Sequence, residues 1–208
     1  MTPPRRDRAA GAPLNPDLQR SLRRAVQVGV LVFLRPPVEA DRGEFVALRQ
    51  SSKRHLARWE PLPQPGFDPF GDDAFERELR FHRRKDSRRL LICRRADGAI
   101  VGRIGLGAII RGDLQQCFIG YWIGKRHTGK GYMTEALCLA IQYAFETLGL
   151  HRVEVNIQPD NFASRRVAEK AGLRLEGYSL RYLRIGGRWA DHERWAVTRE
   201  EWPPEATA

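Results

Sequence analysis

Residues 123–137, IGKRHTGKGYMTEAL, join a strand-like run to a helix-like one through three glycines and three Lys or Arg residues. Ahead of them lies the apolar and aromatic QQCFIGYWI. From their end onward Met133, Leu137, Ala140, Ile141, Ala144, Phe145 and Leu148 recur at helical spacing until Gly149 stops the run. A glycine-rich loop that opens a helix leaves first-turn N–H groups without intrahelical partners at the positive end of the helix dipole, which suits an anion. Gly129 and Gly131 allow a ligand to approach the backbone with no Cβ in the way, and Arg126 and Lys130 add charge.

Which anion depends on how the loop is read. As Gly124-x-x-x-x-Gly129-Lys130 it is close to a nucleoside-triphosphate loop, which needs a Ser or Thr next to ligate magnesium; Gly131 stands there. That chemistry also wants a carboxylate closing a strand of a parallel sheet, and Asp160, after Pro159, is a poor substitute. As Arg126-x-x-Gly129-x-Gly131 it cradles a phosphate through backbone N–H groups without a metal. A plain glycine turn with no ligand is the third reading.

The rest of the chain weighs against the parallel sheet. RRLLICRR, IVGRIGLGAII and QQCFIGYWI are strands separated by the turns ADG and RGD, an antiparallel meander. VQVGVLVFLRP reads as one buried strand ended by its prolines. EADRGEFVALRQSS and DDAFERELRFHRRK have apolar residues three or four apart and read as amphipathic helices. HLARWEPLPQPGFDPFG between them reads as a pocket-shaping loop without regular structure. HRVEVNIQP is a further strand, NFASRRVAEKAG a short helix closed by Gly172, and LRLEGYSLRYLRI-GG-RWADHERWAV a long hairpin.

Length and charge set the frame. The 208 residues, 42% hydrophobic, suit one domain, expected over residues 26–202, with a basic arm over 1–25 and a tail over 203–208. The arm's Arg and Pro content and its lack of apolar periodicity read as disorder or loose attachment, with a short helix at PDLQRSLRR as the alternative. No apolar stretch is long enough to span a bilayer, so a soluble, cytoplasmic protein without a membrane partner is expected. A net charge of +11 favours anionic partners such as phosphate esters, RNA or a ribosome without naming one. Cys93, Cys117 and Cys138 are expected as buried free thiols, and the five histidines show no metal spacing, so no metal site is expected.

The Arg126-x-x-Gly129-x-Gly131 segment, placed between a strand and its helix, resembles the pyrophosphate-binding motif of the Gcn5-related N-acetyltransferase (GNAT) superfamily. RGDLQQCFIGYWIG, GKGYMTEAL, HRVEVNIQPDNFAS, LEGYSLRYLRIGGRWADH and HLARWEP are similar to segments of the ribosomal-protein alanine N-acetyltransferases, from about Val28 to Trp202. The resemblance implies an α/β (α+β) fold: a mixed central sheet with an antiparallel meander, a V-shaped splay between its fourth and fifth strands, and flanking helices. It implies acetyl-CoA as cosubstrate. The backbone from Ile119 through Tyr121 to Ile123 would pair with the pantetheine arm, and the segment Arg126, His127, Thr128, Gly129, Lys130 and Gly131 would take the diphosphate. Asn161 would contact pantetheine or simply cap a helix, and Arg165, Arg166 or Lys170 would approach the adenosine phosphate or remain solvated.

The implied reaction is direct acetyl transfer to a primary amine. A protein α-amine, with a pKa of about 7.7–8.0 against about 10.4 for lysine, needs little deprotonation at neutral pH. A backbone N–H on the splayed strand would polarise the carbonyl, as in an oxyanion hole. Where many superfamily members carry a tyrosine acid this chain has Ala168; Ser164, one turn earlier, matches a serine proposed as acid in a related branch, or packs at the helix start. Leu183 occupies that branch's glutamate-base position, which leaves Glu60, Glu176, Asp191 and His192 as candidates for base or amine recognition. Tyr178, Tyr182, Trp189 and Trp195 read as packing residues. The expected acceptor is a protein N-terminus, possible partners being a ribosomal protein or ribosome; a small amine such as a polyamine or antibiotic, and an RNA- or ribosome-binding factor without turnover, are the alternatives.

Overall fold

The computed structural model describes residues 15–203, so residues 1–14 and 204–208, parts of the expected arm and tail, lie outside the described residues. Eight strands form one sheet: β1 (Gln27–Val28), β2 (Val32–Arg35), β3 (Arg88–Arg94), β4 (Ile100–Ile110), β5 (Gln116–Ile123), β6 (Arg152–Ile157), β7 (Arg174–Ile185) and β8 (Arg188–Thr198), in spatial order β1-β2-β3-β4-β5-β6-β8-β7. Every pairing is antiparallel except β5 with β6. The mixed sheet with its meander is the fold expected from the sequence.

The single strand expected at VQVGVLVFLRP is instead a small hairpin, β1 and β2. Its turn is held from outside: the Glu135 carboxylate accepts hydrogen bonds from the backbone N–H of Val30 (2.8 Å), Leu31 (2.8 Å) and Val32 (2.7 Å). With the hairpin counted as two strands, the splay falls between β5 and β6. They are in register only at Gln116 with Arg152, Cys117 with Val153 and Phe118 with Glu154, after which β5 runs on to Ile123 and β6 to Ile157 unpaired with each other.

Helices cover both faces. On one, α5 (Tyr132–Gln142), a π turn (Tyr143–Thr147) and α6 (Phe162–Lys170) close a core built on Leu34, Ile104, Ile119, Leu137 and Val155. On the other, α1 (Pro16–Arg23), α2 (Arg42–Ser51), α3 (Lys53–Leu56) and α4 (Asp72–His82) close a second core around Phe33, Phe45, Phe75 and Trp122. Two expectations are corrected here. The arm does not stay loose through residue 25: Asn15 caps α1 through Asp17 N (2.9 Å), Leu18 is buried in the second core, and Ser21 Oγ accepts from Arg35 Nε (2.7 Å). HLARWEP is not wholly irregular either, since α3 and a 3₁₀ turn over Ala57–Trp59 run up to the first proline of the stretch, Pro61.

Cys93 and Cys117 are buried thiols pushed up to about 12 by desolvation, and Cys138 is half-buried. Among the described residues no helix is long and apolar enough to cross a membrane, and no three His, Cys, Asp or Glu side chains are grouped to hold a metal ion.

Candidate active site

The loop after β5 is anchored from its N-terminal side. Gly124 N donates to Val101 O (2.9 Å), Lys125 N to the buried Ser52 Oγ (3.0 Å), and His127 N to Gly124 O (2.8 Å). The Thr128 hydroxyl donates to Lys125 O (3.0 Å), which commits it to the turn. His127 points inward: its ring is buried, its Nε2 accepts from Arg126 Nε (3.0 Å), and burial lowers its pKa, with Arg126 adding to the effect. Both side chains are thus used within the loop.

What remains for a ligand is mainly backbone, with the exposed Lys130 side chain beside it. Gly129 and Gly131 adopt φ of 75° and 78°, the left-handed region, and a Cβ at Gly129 would meet nothing within 4 Å. Among the described residues the N–H groups of Gly129, Lys130 and Gly131 and the opening N–H groups of α5 find no protein acceptor. These orphan donors fit a diphosphate, and the unpaired edge of β5 beside them fits an extended amide chain.

Two hydroxyls meet at the splay. Tyr121, on the unpaired part of β5, lies on the α5–α6 face, and its Oη is 2.7 Å from Ser164 Oγ in the first turn of α6. The ring is half-buried, but the hydroxyl lies among protein atoms, and desolvation pushes it up to about 12. Asn161 caps α6, its Oδ1 accepting from Ser164 N (3.2 Å), and so fixes the serine. Arg165 stands with Nε 3.1 Å from Glu193 Oε2, an ion pair whose angle is poor for a hydrogen bond; this holds the arginine against β8 and away from free solution.

The other side of the splay is roofed by chain. The 57–66 loop touches the tip of the β7–β8 hairpin, where Gly186 N donates to Glu60 O (3.3 Å). Every carboxylate considered as a base is engaged. Glu60 accepts twice from Arg49 Nη2 (2.9 and 3.1 Å), whose guanidinium is stacked between Phe70 and Trp122. Glu176 is bound by Arg152 and Arg174, and the Arg152 hydrogen bond first of all holds it below the usual carboxylate range. Asp191 accepts from Arg181 N (2.7 Å) and the Tyr178 hydroxyl (3.3 Å). Glu60 and Glu176 are thus both held in ion pairs with arginine.

His192 is different. It is buried, its Nδ1 lies 3.1 Å from Ala190 O, and desolvation lowers its pKa, so the ring is neutral with Nδ1 as donor and Nε2 as a free acceptor. Tyr182 links it to the splay: the rings are 5.5 Å apart, and Asn156 Nδ2, on the part of β6 that has left β5, donates to Tyr182 Oη (3.3 Å). Asn156 and the role of Tyr182 were not legible in the sequence. Asn156 stands on the polar face of the alternating VEVNI, as Glu154 does, so the local pattern carried no signal that set it apart.

Residues 32–174 match the family model described as an acetyltransferase (GNAT) domain, and the chain belongs to that family. It is 47% identical over 102 residues to the "Probable N-acetyltransferase YjcK" of Bacillus subtilis, covering 49% of this chain and 56% of that one. Over 105 residues it is 39% identical to the "[Ribosomal protein uS5]-alanine N-acetyltransferase" of Escherichia coli, covering 50% and 54%. The chain thus spans about half the length of these curated relatives. Among solved structures it is similar to "Mycobacterium smegmatis RimJ in complex with CoA-disulfide", with a TM-score of 0.74, 32% identity, and coverage of 83% of this chain and 84% of that one.

Proposed function

We propose that this chain is an acetyl-CoA-dependent N-acetyltransferase that acetylates the N-terminal α-amine of a protein, a ribosomal protein being the acceptor suggested by its relatives. The observation that carries the reading is the set of orphan N–H groups over Gly129–Gly131 and the start of α5, set beside the open edge of β5. Bound acetyl-CoA supplies an activated acyl group, so the protein needs no covalent intermediate of its own. The loop amides and Lys130 bind the diphosphate, β5 orients the pantetheine arm, and an N–H of the splayed strand polarises the acyl carbonyl. His192 Nε2 takes the proton from the acceptor amine, directly or through one water, and Ser164 donates to the departing sulfur.

The acceptor side argues for a peptide over a polyamine. A polycation wants several carboxylates without cations of their own, whereas Glu60 is paired with Arg49 and Glu176 with Arg152 and Arg174, which leaves Asp191 of the three considered. Binding of RNA rests on the net charge alone. The test is thiol release from acetyl-CoA with a panel of N-terminal peptides, a lysine-only peptide blocked at its α-amine, and spermidine. Release confined to free α-amines supports the reading; release with spermidine alone overturns it.

A further inference from the structure

The bridge between Tyr121 and Ser164 spans the place where the sheet opens, from the unpaired run of β5 to the helix that follows β6. A contact there is well placed to do more than hold α6. We infer that the Tyr121 hydroxyl is a positioning residue for acyl transfer, donating its hydrogen to Ser164 Oγ so that the serine's own hydrogen is turned into the splay. This rests on the proposed acetyltransferase reading, in which Ser164 faces the departing sulfur.

The hydrogen count leads to this arrangement. Each hydroxyl has one hydrogen, and at 2.7 Å one of the two is donated to the other oxygen. If Ser164 were the donor, its hydrogen would be spent on the phenol and the serine would have none to offer. The Tyr121 hydroxyl has one other acceptor in reach, Ser164 O at 3.4 Å, a weak contact. A phenol is the more acidic of the two hydroxyls and so the better donor. Desolvation holds it protonated up to about 12, so the donor is present throughout the range in which an α-amine titrates. The Asn161 cap on Ser164 N fixes the serine's backbone and the contact with Tyr121 fixes where Oγ lies, leaving the hydroxyl hydrogen to be set.

The proton balance closes without tyrosine ionising. As the amine's N–C bond forms, the nitrogen loses one proton to His192 or water; as the C–S bond breaks, the sulfur gains the Ser164 hydrogen; the serine is replenished from solvent with the proton the amine released. Tyr121 gives up nothing and keeps Oγ a better donor by hydrogen-bonding to it.

The conservative variant Tyr121→Phe keeps the ring and removes the hydroxyl. In thiol-release kinetics it is expected to lower kcat about tenfold, the effect of one lost hydrogen bond, with KM for the peptide unchanged. Ser164→Ala should lower kcat further, and Tyr121→Phe added to Ser164→Ala should cost nothing more, because the tyrosine acts only through the serine. Two readouts stand apart from turnover. Calorimetric affinity for coenzyme A should be the same in wild type and Tyr121→Phe. In the ligand-free protein, the infrared C–O stretch of labelled Tyr121 should move on Ser164→Ala as a donor's does when its acceptor is removed. Full activity in Tyr121→Phe beside an impaired Ser164→Ala would remove the positioning role while leaving the serine in place. A fully active Ser164→Ala would remove both. An unmoved phenol band would show that Tyr121 does not donate to the serine. A wild type that binds coenzyme A but acetylates no amine would defeat the parent reading instead.

Discussion

Gly129 stands at a positive φ with open space on its Cβ side, so the position is demanding in conformation and permissive in volume. A side chain there costs about 1–2 kcal/mol in backbone conformation, but a carboxylate does more by placing negative charge where the diphosphate is proposed to sit. Gly129→Asp should therefore remain folded by circular dichroism and lose more than tenfold in acetyl-CoA affinity, the scale of one charge-assisted hydrogen bond. Unchanged affinity in the folded variant would mean that the loop serves another purpose. His192 offers a second residue-scale test. Its lowered pKa lies below that of the α-amine, about 7.7–8.0, so wild-type kcat/KM should fall with one proton below the amine's pKa and with a second below that of the histidine. His192→Gln should be slower throughout and lose the second proton from the profile; a profile unchanged in shape would exclude His192 as base.

At the scale of elements, α1 turns part of a basic arm into part of the fold. Leu18 is 4% exposed against Phe33 and Ile100, and Gly98 lies close beneath it. Leu18→Ala should cost about 2–3 kcal/mol in a denaturant titration, and removing residues 1–24 should destabilise the protein while removing 1–14 costs less. Equal stability of the two truncations would contradict the packing seen for α1. The sequence displayed one amphipathic signal here, PDLQRSLRR, but a single buried leucine among arginines is too little apolar pattern to separate a docked helix from a solvated one. The β1–β2 hairpin escaped for a different reason: its turn is specified by Glu135, more than a hundred residues away, and no local pattern carries that contact. Where the determinant was local the reading held, as with the Gly186–Gly187 hairpin, the Gly149 and Gly172 helix ends and the strands of the meander. The same division applies to the candidate site. The glycine loop was legible because its chemistry is backbone, whereas the Tyr121–Ser164 bridge and the arginine partners of Glu60 and Glu176 exist only once distant segments meet.

Taken as a whole, the molecule has two kinds of titrating group that set its acid limit. His55, His82, His127 and His192 are all lowered, chiefly by desolvation, so the unfolded chain binds protons more tightly than the native one. Stability should be fully present above the unfolded histidine value, about 6.5, and decline as pH falls toward the lower native values. Glu176, Asp97 and Glu201 are depressed by their arginine or backbone partners, and their contribution is lost in a second stage as pH falls below about 4.3 toward their native values. Thermal melts taken from about pH 8 down to about pH 3 should show these two successive declines; a melting temperature flat through the histidine range would contradict the first.

The sheet, opened between β5 and β6, is proposed to offer coenzyme A a metal-independent diphosphate site where a triphosphate loop would need a hydroxyl after Lys130 and has Gly131. The direct measurement is a calorimetric titration of the full chain with acetyl-CoA and, in parallel, with ATP, each in the presence of a chelator and again with magnesium. Saturable acetyl-CoA binding, the same with and without the metal, is expected, with weak ATP binding under both conditions. Tight ATP binding that appears only with magnesium, with acetyl-CoA failing to bind, would contradict it.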